Sequence, residues 1–340
     1  MKKFIILMIL IICVFVPNIS GTELFSSADS CIVMEANSQR IIYQKNINKS
    51  HLTASICKIL TCITAIENGD LDSWCTVTKE STSQIGSSIY LELNDKVKLI
   101  DLLYGLMLRS GNDAAYLVGQ NCGGLEKFVL LMNETAKKIG MTSSTFANPS
   151  GLDEESQNYS TCLDMAKLMR YCSLNELYMK INGTNSYTCS TYNGRQLVFI
   201  NKHRLIQSEE EFIAGKTGYT EKANRTLVSY AKKGDLSVII VTFNCANDFN
   251  EHKKFANYVF DNYQMKVLMK SQIINADDRI ISYTPVLLND VLYPLKDDES
   301  NSFKFVVELF LDTKDLNYVG NLYVYKEEVL IIQDRIYRYY

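Results

Sequence analysis

Strand-like segments stand at both ends of a long helical stretch, and this limits the folds open to the chain. Cys31 to Glu35 and Arg40 to Tyr43 read as two strands joined by Asn37-Ser38-Gln39. Far downstream, Thr226 to Tyr230 and Ser237 to Phe243 form an alternating apolar hairpin turned at Lys233-Gly234-Asp235. Between these ends helical spacing dominates. Ile59, Leu60, Ile63 and Ile66 share one face of a helix predicted from about Ser55 to Glu67, with Gly69 as its stop. Further helices are predicted from about Leu99 to Leu108, from Leu125 to Ile139 ahead of Gly140, and after the Ser160-Thr161 cap. Short strands return near Tyr187 to Ser190 and Arg195 to Ile200, and a helix from about Glu251 to Tyr263 follows the hairpin. The expected fold is α/β (α+β), an antiparallel sheet flanked by helices.

At 340 residues the chain is long enough for a second unit. After about Met265 the pattern changes: Phe303, Phe305, Val307, Leu309 and Leu311 alternate, and Leu322, Val324, Val329 and Ile331 suggest more strands. A main domain over 22–264 and a small β-rich domain over 265–340 are therefore expected. Residues 1–21 read as an export signal, with Lys2 and Lys3 ahead of the short apolar run Phe4 to Val16 and cleavage after Gly21. That run is short for a membrane span. Removing the two lysines takes the formal charge from -3 to about -5, and with no basic block nucleic-acid binding has no support. Ten cysteines lie apart, without a Cys-x-x-Cys pair or a histidine cluster, so neither a zinc site nor another cofactor is expected. Packing as small apolar side chains is their expected role.

Three short motifs carry the chemistry. Ser55-Ile56-Cys57-Lys58 comes first, then Ser110-Gly111-Asn112, then Lys216-Thr217-Gly218. A serine hydroxyl is a weak nucleophile until a neighbouring base takes its proton. Residues three apart share a helix face, so Lys58 can reach Ser55. Burial and a second cation lower a lysine's proton affinity, which suits it to the base's role in a chain with only three histidines.

In this order the motifs resemble those of the penicillin-binding proteins and serine β-lactamases. Glycine at the centre of the second motif is similar to the low-molecular-mass D-alanyl-D-alanine carboxypeptidases. So is its setting, Asp101 to Arg109 running into Ser110-Gly111-Asn112-Asp113-Ala114-Ala115, and so are Asn148-Pro149-Ser150-Gly151-Leu152-Asp153 and Tyr159-Ser160-Thr161. A histidine is common in the family where Ser150 stands. Val241 to Cys245 and Asp248 to His252 resemble the sporulation-associated branch of Gram-positive bacteria.

The resemblance implies the β-lactamase/transpeptidase-like fold with a β-rich C-terminal domain. It implies Ser55 as acylated nucleophile, Lys58 as general base, and Ser110 as proton relay to departing D-alanine. Asn112 would bond the substrate amide, Lys216 would polarise Ser110, and Thr217 would bind the terminal carboxylate. Gly218 would let substrate approach the strand, and the N–H groups of Ser55 and Tyr219 would form the oxyanion hole. Some relatives add a carboxylate-binding arginine where this chain has Asn244 to Asn247.

The implied partners are peptidoglycan stem peptides as substrate and β-lactam antibiotics as acylating inhibitors, outside the cytoplasmic membrane. Relatives often end in a membrane-binding amphipathic helix; the tail at Tyr337, Tyr339 and Tyr340 reads instead as a packing element, so no C-terminal anchor is expected. A β-lactamase or D-Ala endopeptidase of the same chemistry is the alternative enzyme, although the Glu-x-x-Leu-Asn pattern of class A β-lactamases is missing. A catalytically silent wall-binding homologue is the alternative outside enzymes.

Overall fold

The computed structural model describes residues 24–275, 281, 283–299, 302–310 and 317–339. The export signal assigned to 1–21 lies outside them, as does Tyr340.

Five strands form the central sheet: β1 (Ser30–Glu35), β2 (Ile41–Lys45), β3 (Phe212–Thr220), β4 (Asn224–Lys233) and β5 (Leu236–Phe243). Their order is β2-β1-β5-β4-β3, and every pairing is antiparallel. The two ends of the main domain thus meet at the centre of the sheet, where Ser30 pairs with Phe243 and Glu35 with Val238. All residues of β1 and β5 are buried, because helices cover both faces. Alternation divides their side chains between two cores. Ile32, Met34, Ile239 and Val241 pack with the interior helices, while Cys31, Val33, Val238 and Ile240 pack with Phe255 and Val259 of helix Asp248–Asn262.

Helix α1 (Lys58–Asn68) runs through the first of these cores, with Lys58 to Ala65 buried. The expected start at Ser55 is refined, since Ala54–Cys57 form a tighter 3-10 turn before α1 begins. The expected helix 99–108 is also two pieces, an α-helix at Leu99–Tyr104 and a wide π-helical turn at Gly105–Arg109. The Ser110 N–H bonds back to the Gly105 carbonyl, and Ser110 itself takes a left-handed conformation at φ 63°. A further helix, unread in the sequence, begins immediately at Asn112 and ends at Asn121.

The C-terminal region is β-rich, as expected. Gln264–Met269 pairs with Val291–Leu295, and five further strands form a sheet around Leu287, Val319, Leu322, Val324 and Ile336. Tyr337 and Tyr339 belong to its last strand, where Tyr339 is largely exposed rather than packed. The region is tied to the main domain through Arg40, whose guanidinium donates to both carboxylate oxygens of Glu299 at 2.7 and 2.9 Å. Among the described residues no helix is long and apolar enough to cross a membrane.

Candidate active site

Three elements bring the motifs together. The Ala54–Cys57 turn lies against β3, the strand that carries Lys216, Thr217 and Gly218. A Cβ on Gly218 would stand 2.3 Å from the Thr226 hydroxyl, 3.0 Å from the Ser55 nitrogen and 3.2 Å from the Ala54 Cβ. Glycine is required here by close approach of the turn. The turn is held from behind as well, where the Thr226 hydroxyl donates to the Thr53 carbonyl at 3.1 Å.

Lys58 is fully buried, and its ammonium has three acceptors. It donates to the Ser55 hydroxyl at 2.9 Å, to Asn112 Oδ1 at 2.8 Å, and to the main-chain carbonyl of Ser150. Burial pushes its pKa down from the ordinary 10.5 to about 8. Lys216 is equally enclosed and donates to the Ser110 hydroxyl and to the Thr217 carbonyl, both at 2.9 Å. Its pKa is driven well below the ordinary lysine range, by burial first and by the charge of Lys58 second. Two lysines thus face two serines across one cleft, and Asn112 links the first motif to the second. Ser55 is half-buried, Thr217 half-buried and Tyr219 63% exposed, so Ser55 and this end of β3 are open to a ligand.

Several contributors were given no role by the sequence. Asp113, almost fully buried, accepts from the N–H groups of Ile89 at 3.0 Å and Leu91 at 3.3 Å and from the Ser88 hydroxyl at 2.6 Å. It thereby fastens the 85–91 loop beside the cleft, and the Ile85 carbonyl accepts from Asn112 Nδ2 at 2.7 Å. Lys202 donates to the Ser87 hydroxyl at 2.9 Å, and its charge adds to the lowering of both Lys58 and Lys216. These contacts join residues far apart in sequence, and three of them involve a main-chain atom, the N–H groups of Ile89 and Leu91 and the carbonyl of Ile85.

The Ser150 loop accommodates its departure from the usual histidine for a related reason. Its part in the site is a carbonyl oxygen, aimed at Lys58 by Asn148, whose Oδ1 accepts from the N–H groups of Ser150 at 3.1 Å and Gly151 at 2.7 Å. Ala54 is itself a non-glycine residue in left-handed conformation, at φ 48°, a strained state for a residue with a Cβ. Gly151, at φ 84°, packs directly on it: a Cβ there would sit 1.9 Å from the Ala54 carbonyl oxygen.

Asn244, in the region where some relatives place an arginine, donates its amide to Asp29 at 2.8 Å. The three histidines bond elsewhere than to Ser55. His51 pairs with Ser30 at 2.7 Å, and His203 and His252 flank the Ser229 hydroxyl at 2.9 and 2.8 Å. Burial lowers the His203 pKa to about 3, leaving it neutral. All nine described cysteines are free thiols; eight are buried, including Cys57 and Cys62 in the main core.

Comparison with known proteins gives this geometry its family. The sequence profile of the D-alanyl-D-alanine carboxypeptidase family matches residues 20–247. The chain is 30% identical over 258 residues to D-alanyl-D-alanine carboxypeptidase DacF of Bacillus subtilis, a match covering 73% of this chain and 66% of that one. It therefore spans about two thirds of that relative's length. A D-alanyl-D-alanine carboxypeptidase structure from Mycobacterium tuberculosis superimposes with a TM-score of 0.66 at 27% identity, over 70% of this chain and 92% of that one. The DacD structure from Francisella tularensis shares the fold more fully, with a TM-score of 0.72 at 24% identity over 92% of this chain and 93% of that one. With two lysine–serine pairs facing one cleft and a family profile matched over most of its length, this chain belongs to the D-alanyl-D-alanine carboxypeptidase family of serine peptidases.

Proposed function

We propose that the chain removes the terminal D-alanine from peptidoglycan pentapeptide stems through an acyl-enzyme on Ser55. The observation that carries this reading is the Lys58 amine, 2.9 Å from the Ser55 hydroxyl and brought by burial to a pKa of about 8. In its neutral form Lys58 takes the hydroxyl proton as Oγ attacks the carbonyl between the two D-alanines. The C–N bond breaks, Ser110 passes a proton to the leaving amine with Lys216 polarising its hydroxyl, and D-alanine departs. Water then hydrolyses the ester and restores Ser55. Asn112 bonds the substrate amide, Thr217 the terminal carboxylate, and Gly218 leaves room for the peptide along β3. The N–H groups of Ser55 and Tyr219 bind the oxyanion as charge develops on the attacked oxygen.

On the same reading β-lactams acylate Ser55, residues 1–21 direct export, and the enzyme works outside the cytoplasmic membrane. The test is intact-protein mass spectrometry after penicillin treatment, with D-alanine release from a synthetic pentapeptide measured in parallel. One adduct per chain on Ser55, absent from Ser55→Ala, together with D-alanine release is the expected result. An adduct on another residue sinks the Ser55 assignment. Penicillin turnover without D-alanine release points to a β-lactamase, and neither activity points to a silent homologue.

The proposed boundary near Gln264 has its own test. All three motifs precede it, so a chain of residues 22–264 is expected to label with penicillin, with a lower melting temperature because Arg40 loses Glu299. Loss of labelling with circular dichroism unchanged would assign part of the site to the β-rich region.

A further inference from the structure

Strand Lys304–Leu309 lies at one margin of the C-terminal sheet and, among the described residues, pairs only with Tyr318–Lys326. Lys304 to Glu308 are all exposed, and the apolar Phe305, Val306 and Val307 are 36, 37 and 38% exposed in succession. Three exposed apolar residues in a row on a sheet margin mark a surface that something covers. Side chains along the strand alternate between the two faces of the sheet. Phe305 and Val307 stand opposite Val324 and Leu322, which are buried in the core of this region, so they form its open rim. Lys304, Val306 and Glu308 lie on the other face, beside Tyr325, Tyr323 and Asn321. Glu308 accepts through Oε2 from the Tyr323 hydroxyl at 2.8 Å and from the Asn321 amide at 3.3 Å. It has no cationic partner among the described residues, and Lys304 has neither a hydrogen bond nor an ion pair there.

A lysine on a sheet margin ordinarily deters foreign strands. Here the sequence supplies its complement, because Lys304 and Glu308 stand at equal distances on either side of Val306. Laid antiparallel against itself about Val306, the strand sets Lys304 opposite Glu308 and Phe305 opposite Val307, with each pair on one face. We propose that two copies of the chain join through this strand, antiparallel, about a two-fold axis at Val306. Each contact is then made twice, once from either copy. The open rims of the two cores meet on one face of a continuous sheet, and the charged pairs meet on the other. The assembly closes at the dimer, because the opposite margin of the sheet is Gln272–Ile273, too short to recruit further copies.

The test is sedimentation velocity of the exported chain, residues 22–340, over a range of concentrations at low salt. A small strand interface predicts a dimer with a Kd of about 10 µM. Lys304→Glu or Glu308→Lys alone sets like charges opposite each other at both contacts and is expected to weaken the dimer about thirtyfold. Mixing these two single variants restores opposite charges at both contacts of the mixed pair. A heterodimer about as tight as the unmodified homodimer is therefore expected, and the double variant is expected to pair with itself equally well. Circular dichroism checks the fold of each variant. A chain that stays monomeric up to about 200 µM overturns the inference. So does a dimer whose strength neither single variant changes, since its contact then lies elsewhere. Weakening in both single variants without rescue on mixing overturns the pairing of Lys304 with Glu308.

Discussion

Lys58→Ala is expected to lower the rate of penicillin acylation of Ser55 by about a thousandfold, the scale on which a positioned base contributes. Stopped-flow or quenched labelling measures it, and circular dichroism checks that the fold persists. A variant acylating at the normal rate would show that another group takes the Ser55 proton. The unmodified enzyme carries a matching pH signature. Only neutral Lys58 accepts a proton, and burial sets its pKa at about 8. Acylation is therefore expected to rise about tenfold per pH unit below 8 and to level off above it. Stability follows the same group. The unfolded lysine keeps its ordinary value of 10.5, so between about 8 and 10.5 the unfolded chain binds more protons than the folded one. Lys58 then contributes a stability that grows as the pH rises through that window and is absent below it.

Gly151→Ala is the second large effect. Its φ of 84° is costly for any residue with a Cβ, and the added methyl would overlap the Ala54 carbonyl, which is backbone and cannot swing aside. A loss of about 3 kcal/mol is expected, read as a drop in chemical-denaturation midpoint. Because Ala54 precedes Ser55 and Ser150 supplies a carbonyl to Lys58, labelling of the surviving folded protein is also expected to slow. A variant with unchanged midpoint and labelling rate would mean that the loop and turn move apart freely, against the packing described.

Both predictions concern atoms that differ in how visible they are in a sequence. Ser55, Lys58, Ser110, Asn112 and Lys216 announce themselves because the motifs are made of their side chains, and their types and spacings survive in the linear text. The central sheet is legible for a similar reason, since the near-continuous apolar runs in 31–34 and 238–243 reflect burial on two faces. The Ser150 and Ile85 carbonyls are invisible, because every residue has one and only the folded loop decides where it points. The π-helical turn at Gly105–Arg109 was hidden because its apolar residues, Leu106 to Leu108, continue a pattern that an ordinary helix would also show. Asp113 follows the second motif directly, yet nothing in its neighbours says that its partners lie in the 88–91 segment.

The position of β3 at the sheet's margin has a further consequence. A margin strand with one row of main-chain groups unengaged is ordinarily a template on which foreign strands accumulate. Here the Ala54–Cys57 turn packs over that strand at Gly218, closely enough that a methyl group would not fit between them. A peptide at that margin meets a main-chain ladder indifferent to side-chain identity, bounded by the serine turn. The crowding that forbids a Cβ at residue 218 is directed off the face of the sheet, so it leaves the in-plane margin of β3 to an extended peptide.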